Sequence, residues 1–262
     1  MKKIFHKDFF IFSSIILCCL LFFIVSSCGW KGKRKTCRIG IDITFYPLDL
    51  KDQQARVNGF VEELLLEMTK YLPIEFAKIQ MNWNTIVEGL EENEDGESKY
   101  DGIISPMKSY KFNEEKYDFS PVFLQTGPVL ITRKKYPQNS LEKMDNEPVG
   151  VIQGDKTVVL IQKYPNIILR KYNFIGDILT DLSRGQIDGA VINKLPAIAY
   201  LNDLFYGQMK MSAPLTLDGL RLVTLKGKEK KFMEDFSNGL KILKKKGILE
   251  KIKKKWELVL RK

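Results

Sequence analysis

The sequence predicts an α/β protein in which two doubly wound lobes are joined by two hinge strands. Apolar, strand-like runs alternate with helix-like segments in both halves of the chain, which is typical of parallel strands with helical crossovers. A short pattern, Asp101-Gly102-Ile103-Ile104 and later Asp188-Gly189-Ala190-Val191, follows a helix-like segment in each half. Two long extended apolar stretches, 123–132 and 215–225, separate the halves. They predict that the chain crosses between the lobes twice.

The elements of the first half follow from their apolar periodicity. The predicted strands cover 37–43 and 74–79, and a third strand begins at residue 100 after an acidic loop at 91–97. The predicted helices cover 59–71 and 84–92. Strands and helices therefore alternate along this half.

The second half repeats the same order and is followed by two C-terminal helices. Strands are predicted at 149–153 and 167–172, helices at 156–163 and 175–184, and a further strand from 187. The last helices, 230–244 and 248–258, carry apolar residues at helical spacing, so their lysines are expected on the exposed face. We expect these helices to complete the first lobe; an amphipathic helix on a membrane surface is the alternative.

The N-terminus has the charged, hydrophobic and small-residue order of a secretory signal. Three lysines precede an apolar run at 9–25, and Val25-Ser26-Ser27-Cys28 resembles the lipobox of bacterial lipoproteins. The resemblance implies a signal peptide at 1–27, a lipid-modified Cys28 and a tether at 28–35. An uncleaved N-terminal membrane anchor is the alternative.

Composition excludes several classes of protein. The net charge is +10 over 262 residues, but the lysines are spread along the chain without a nucleic-acid-binding motif, so no nucleic-acid partner is expected. Of the four cysteines, Cys37 alone would remain unmodified in the mature chain, so no disulfide is expected. The one histidine, His6, lies in the predicted signal. A mature chain without histidine excludes Ser-His-Asp triads, Cys-His pairs and histidine-ligated metals, and no metal or cofactor is expected.

A set of landmarks, in order and over roughly 225 residues, carries a resemblance to a known family. The landmarks are Ile39-Gly40-Ile41-Asp42 with Pro47, Asn58-Gly59-Phe60, Trp83, Asp118-Phe119-Ser120-Pro121, Val149-Gly150-Val151-Ile152-Gln153-Gly154, Gly247-Ile248-Leu249 and Lys255-Trp256. From about residue 36 to the end, the chain resembles the bacterial solute-binding proteins, family 3, of polar amino-acid ABC transporters. The resemblance implies a periplasmic binding protein-like fold.

What the resemblance implies about function is the capture of an amino acid, a short peptide or a related small polar solute in a cleft between lobes. The solute would be delivered to an ABC permease by a monomeric protein with no catalytic activity. The protein would sit on the periplasmic or extracytoplasmic side of the cell envelope, held to the membrane by lipid on Cys28. The first lobe would comprise about 36–128 and 217–262, and the second about 129–216.

The family's ligand contacts map onto ten positions. They are Asp42, Phe45, Trp83, Ser105, Lys108, Asn113, Gly154, Lys156, Thr157 and Asn193. Core packing is the alternative role for the two aromatic residues.

Two of these positions depart from the family. The arginine that would bind an α-carboxylate aligns with Asn113, and the aspartate that would bind an α-ammonium group aligns with Asn193. Lys108, Lys111 and Lys156 are candidate replacements for the positive charge, because lysine supplies a point charge where arginine supplies a fork. For Lys111, a solvated surface position without a role in binding is the alternative.

Two other functions use the same scaffold. One is an enzyme of the periplasmic dehydratase or lytic type, for which Asp42 and Asp155 would be the acid and base candidates. The other is a sensory lobe that signals to a membrane partner.

Overall fold

The computed structural model of the protein describes residues 34–42, 44–45, 53–81, 83–91 and 96–261, and the residues from Thr36 onward form one compact unit. The predicted signal peptide, Cys28 and all but the last two residues of the predicted tether lie outside the described residues. Within the described part, no helix combines the length and apolar character needed to cross a membrane.

The first sheet is built from strands at both ends of the compact unit. Its order is β2-β1-β3-β11-β4, with β5 also paired to β11. β1 and β3 are parallel, whereas β11 runs antiparallel to β3, β4 and β5. Its strands are β1 (Lys35–Asp42), β2 (Ile74–Met81), β3 (Gly102–Ser105), β4 (Tyr117–Phe119), β5 (Leu124–Gln125) and β11 (Gly219–Leu225).

The second sheet is formed by the chain between these two groups of strands. Its order is β10-β6-β9-β7-β8. β7 is parallel to β8 and β9, and β6 is antiparallel to β9 and β10. Its strands are β6 (Pro128–Arg133), β7 (Pro148–Ile152), β8 (Ile168–Tyr172), β9 (Gly189–Asn193) and β10 (Met209–Pro214). The predicted α/β class with two lobes is therefore confirmed.

Helices lie between the strands of both sheets. Short 3-10 turns cover Glu88–Leu90 and Leu141–Lys143. The α-helices of the described chain are α1 (Gln54–Thr69), α2 (Trp83–Ile86), α3 (Lys111–Glu114), α4 (Thr157–Ile161), α5 (Ile175–Arg184), α6 (Lys194–Asn202), α7 (Lys230–Lys245) and α8 (Ile248–Lys255).

The C-terminal helices complete the core of the first lobe. Phe232, Phe236 and Leu243 of α7 are buried, and α7 and α8 both pack against α1. Phe236 is the centre of an aromatic cluster, with its ring centroid 6.3 Å from Phe76, 6.1 Å from Phe123 and 6.4 Å from Phe232. The apolar face of α7 is thus covered by the protein's own core.

The second lobe has its own core on both faces of its sheet, because alternate residues of β6 enter two separate clusters, Val129 and Ile131 in one and Leu130 in the other. α5 places Ile178, Leu179 and Leu182 against one face. This helix ends at Gly185, which has a φ of 76° and so adopts the left-handed conformation that glycine tolerates best. The strands are therefore held from both sides, which fixes the positions of the loops that leave their ends.

The two crossings between the lobes lie side by side and are hydrogen-bonded to each other. The backbone N–H groups of Thr126 and Gly127 donate to the carbonyl oxygen of Asp218 at 3.0 and 3.3 Å. The N–H of Leu215 donates to the carbonyl oxygen of Pro128 at 2.8 Å. Because both segments share these bonds, they form a narrow paired connection.

The end of the chain adds a contact between the lobes. The amide of Asn202, at the end of α6, donates to the carbonyl oxygen of Val259 at 2.9 Å and accepts from the N–H of Arg261 at 2.8 Å. Leu260 packs against the core of the second lobe, and Leu195 of α6 belongs to the core of the first. The segment after α8 therefore contacts the second lobe.

Candidate functional site

A cavity of ≈ 610 Å³ opens beside the paired crossings, with walls from both lobes. Its polar walls come from the loops after β3, β7 and β9, which are the carboxyl ends of strands, where α/β proteins bind ligands. Residues that line it are Pro106, Lys108 and Tyr110 from the first lobe, Thr126, Gly127, Thr216, Asp218 and Gly219 at the crossings, and Gly154, Asp155, Lys156, Thr157, Lys163 and Asn193 from the second.

Two further cavities, of ≈ 360 and ≈ 650 Å³, lie at the other end of the first sheet. Both are lined by Arg38, Glu97 and Ser98, with walls from the first lobe alone. The cavity at the crossings is the candidate functional site, because it draws on both lobes and on the strand ends where loops present polar groups.

Five of the ten predicted contact residues line this cavity. They are Lys108, Gly154, Lys156, Thr157 and Asn193. Ser105 immediately precedes the cavity residue Pro106, and its hydroxyl accepts from the N–H of Met107 at 3.1 Å.

Asp42 and Phe45 do not line the cavity at the crossings. The Asp42 carboxylate accepts from the N–H of Thr44 at 3.0 Å and from its hydroxyl at 2.8 Å. The ring of Phe45 is fully buried in the first core, the alternative role raised for it from the sequence. The side chain of Trp83 lies outside the described residues.

Lys108 reaches the crossings from the loop after β3. Its ammonium group lies 2.9 Å from Oδ2 of Asp218 and 5.9 Å from the centroid of the Tyr110 ring. Burial lowers the pKa of Lys108, whereas the hydrogen bond and the negative charge of Asp218 raise it. The raising effects together are larger, so the pKa lies above that of an ordinary lysine. An ammonium group has three donors, so at least one remains besides those directed at Asp218 and the Tyr110 side chain.

Asn113 is hydrogen-bonded to the backbone of this loop. Its side-chain amide donates to the carbonyl oxygen of Lys108 at 2.7 Å. The residue that aligns with the family's arginine therefore holds the backbone of Lys108 and supplies no charge.

A buried arginine, Arg221, contacts the same loop, although it was not among the site residues predicted from the sequence. Arg221 of β11 donates to the Ser109 hydroxyl at 3.1 Å and to the Leu217 carbonyl oxygen at 3.2 Å. It forms no ion pair with any residue in the described ranges, and its Nε has no hydrogen-bond partner. Burial lowers the pKa of its guanidinium, while the charges of Asp218 and Glu114 oppose that shift. The side chain adds positive charge behind the cleft.

The wall from the second lobe centres on Asp155. Its Oδ1 accepts from the N–H of Thr157 at 2.7 Å, and its Oδ2 accepts from the side-chain amide of Asn193 at 3.2 Å. The carboxylate thus links the loop after β7 to the end of β9. Among the residues that the structure describes, no cluster of three or more metal-ligating side chains is found.

A two-lobed α/β protein with a polar cleft beside paired crossings has the architecture of a solute receptor. The sequence model of the bacterial extracellular solute-binding proteins, family 3, matches residues 37–259. The chain belongs to this family, as its landmarks predicted.

Known relatives and structures agree with this assignment. The chain is 25% identical over 237 residues to the arginine-binding extracellular protein ArtP of Bacillus subtilis, covering 88% of this chain and 89% of ArtP. It is 26% identical over 171 residues to the lysine/arginine/ornithine-binding periplasmic protein of Escherichia coli, a match that spans 62% of each protein and so less than two thirds of that relative. The unliganded, open L-cystine solute receptor of Neisseria gonorrhoeae shares the fold, with a TM-score of 0.66 at 18% identity over 86% of this chain and 94% of that structure.

Proposed function

We propose that this protein is the solute-binding component of an ABC importer and that it captures an amino acid or a related small polar solute. The observation that carries the proposal is the cavity of ≈ 610 Å³ at the crossings, which is built from both lobes and contains charges of both signs. Such a cavity suits a small zwitterion. The relatives are named for binding arginine, lysine, ornithine, cystine or histidine, which supports an amino acid as the solute.

The proposed motion is closure of the two lobes about the paired crossings. For this motion we keep the lobe bounds predicted from the sequence, about 36–128 with 217–262 for the first lobe and about 129–216 for the second. A short paired connection allows hinge closure, because a few residues can absorb the change in backbone angles. Closure would bring the loop of Lys108 towards the loop of Asp155.

Binding is tested by thermal-shift screening of the full-length protein against the twenty amino acids, L-cystine, short peptides and dicarboxylates. A ligand bound by the folded state alone raises stability by about 2.7 kcal/mol at a hundred times its dissociation constant. Calorimetry then measures affinity, and mass spectrometry of the recovered solute distinguishes binding from turnover. A panel without a single stabilising compound would contradict the proposal, and a chemically altered solute would favour an enzyme.

The ammonium group of Lys108 is expected to contact an anionic group of the bound solute. Replacing Lys108 with alanine should weaken binding of the best compound from the screen by about 1–3 kcal/mol, the range for removing one partner of a buried hydrogen bond. Lys111, an exposed lysine of α3, is the matched control, and Lys111→Ala should leave affinity unchanged. Equal affinity of wild type and Lys108→Ala by calorimetry would confine Lys108 to its pair with Asp218.

Attachment to the membrane is proposed through lipid on Cys28, with the protein on the outer face of the cytoplasmic membrane or in the periplasm beside a permease. Replacement of Cys28 by alanine should abolish labelling by a fatty-acid probe, because that thiol is the expected acceptor. The buried Cys37 gives the control, since Cys37→Ser should label as wild type does. Undiminished labelling of Cys28→Ala would exclude the lipoprotein form.

A further inference from the structure

The carboxylate of Asp155 lies in the cleft and can accept more hydrogen bonds than the protein gives it. An ionised carboxylate offers about four acceptor positions, and the structure uses one on each oxygen, for the Thr157 N–H and the Asn193 amide. Both of these donors are neutral. The negative charge itself is therefore not compensated by either of them.

Of the lysines on the cavity wall, Lys108 is paired with Asp218, and none forms an ion pair with Asp155. The second carboxylate on the cavity wall, Asp218, is paired with Lys108 at 2.9 Å. Asp155 forms no ion pair with any residue of the described ranges, although Lys156 and Lys163 stand on the same wall. A partly buried carboxylate without a cation favours a positively charged ligand group, since opposite charges within about 4–6 Å stabilise the charged form of each.

Asn193 fits this arrangement because it is neutral. Its amide lies within hydrogen-bonding distance of Asp155, so a carboxylate at the same place would face a second negative charge across 3.2 Å. Two carboxylates that close cannot both ionise readily. This part of the cleft accommodates one carboxylate, and in this chain that carboxylate is at position 155 and not at position 193.

Two hydroxyl groups on the cavity wall also lack partners. The hydroxyls of Thr157 and Thr126 are buried and make no hydrogen bond within the described part of the protein, and both residues line the cleft. A buried polar group without a partner is costly. Groups of a bound solute that reach them on closure would remove that cost.

We propose that Asp155 is the residue that binds the cationic amine of the solute, in place of position 193, and that the Asn193 amide orients its carboxylate. The inference rests on the proposed solute-binding function. The neighbouring ammonium groups of Lys156 and Lys163 then face the anionic end of the same solute, so the cleft selects zwitterions whose amine is unmodified.

A purely local role is the competing explanation. Asp155 also accepts from the N–H of Thr157, two residues further on, as the side chain of an Asx-turn does. Asparagine keeps an acceptor for this N–H and removes the charge. Asp155→Asn therefore separates a role in this turn from recognition of a cation.

The experiment compares four full-length proteins by calorimetry with the twenty amino acids and L-cystine, and with their Nα-acetyl derivatives. The proteins are wild type, Asp155→Asn, Asn193→Asp and the double variant Asp155→Asn/Asn193→Asp. Asp155→Asn should bind the best amino acid at least about 10-fold more weakly, the loss of a charge-assisted hydrogen bond. The double variant should recover most of that loss, because it restores one carboxylate at the same place. Wild type should discriminate against the acetylated form, whose nitrogen carries no charge.

The outcomes separate the two proposals. Wild-type affinity in Asp155→Asn, or equal affinity of wild type for a free and an acetylated amino acid, would overturn the role of Asp155 while leaving solute binding intact. Failure of wild type to bind any compound of this panel or of the wider screen with short peptides and dicarboxylates would refute the solute-binding function and the role of Asp155 with it. If Asp155→Asn does not fold by circular dichroism, the comparison of free and acetylated amino acids on wild type decides.

Discussion

Replacement of Phe236 by alanine is expected to lower the free energy of unfolding by about 3–5 kcal/mol, the range for removing a buried aromatic ring. Phe236 is fully buried, and its ring packs edge to face with Phe76 and Phe232 and at an intermediate angle with Phe123. These partners come from β2, from α7 itself and from the segment before the first crossing. A cavity here would loosen helix, sheet and crossing together. Urea unfolding followed by circular dichroism measures the effect.

Phe174 is the matched control for this substitution. Its side chain is 69% exposed, so Phe174→Ala removes an equal ring from solvent and should change stability by no more than about 0.5 kcal/mol. A loss below about 1 kcal/mol for Phe236→Ala would contradict its central place in the first core. The result bears on function, because this core supports both the crossing and the loop of Lys108.

The regular elements were predictable where apolar residues recur with a clear period. The helix predicted at 175–184 is α5 (Ile175–Arg184), and the helix predicted at 230–244 is α7 (Lys230–Lys245). Both are amphipathic, with one buried face, so the period of the helix is visible in the sequence.

Elements without such a period were missed or misjudged. α6 (Lys194–Asn202) was not predicted, and five of its nine residues are buried, Leu195 to Ile198 and Leu201, so apolar and polar residues do not separate cleanly. The helix expected at 84–92 is divided into α2 and a 3-10 turn, with Gly89 in the turn. A Cβ at Gly89 would lie 2.2 Å from the Tyr100 ring, so packing of that ring governs this segment.

The site was predictable only in part, because its chemistry depends on contacts between distant residues. Lys108, Gly154, Lys156, Thr157 and Asn193 could be placed in a cleft from the order of the landmarks. The partners of these residues could not. Lys108 and Asp218 are 110 residues apart in the sequence, and Asp155 and Asn193 are 38 residues apart. No local sequence pattern therefore predicts either contact.

The environment of Arg221 could not be predicted from the sequence either. In the sequence it stands within an apolar strand, Gly219–Leu225, where an arginine suggests an exposed edge. In the structure β11 is central, between β3 and β4, and the guanidinium is buried over the Phe119 ring at 5.6 Å. The antiparallel placement of β11, which follows from the second crossing, decides this environment.

The second crossing depends on the absence of a side chain at Gly219. A Cβ there would lie 2.3 Å from the carbonyl oxygen of Leu124, 2.5 Å from Cγ1 of Val122 and 3.0 Å from Cα of Gln125. Two of these three atoms are backbone, so the conflict cannot be relieved by turning a flexible side chain. Gly219 also pairs with Gln125 in the sheet, directly beside the hydrogen bonds that join the two crossings.

Gly219→Val is therefore expected to lower the free energy of unfolding by about 3 kcal/mol, the upper end of the usual range for overpacking. Because the strain falls on the paired crossings, the folded fraction should also bind its solute more weakly, which calorimetry at a temperature below the unfolding transition can measure. Gly176→Ala is the control at an uncrowded glycine. Outside the adjacent residues and the backbone of α5, a Cβ there would have its nearest neighbour in the Tyr200 ring, at 3.9 Å, so stability should be unchanged or rise by up to about 1 kcal/mol. If Gly219→Val unfolds within about 0.5 kcal/mol of wild type and binds with the same affinity, close packing at the second crossing does not govern the connection between the lobes.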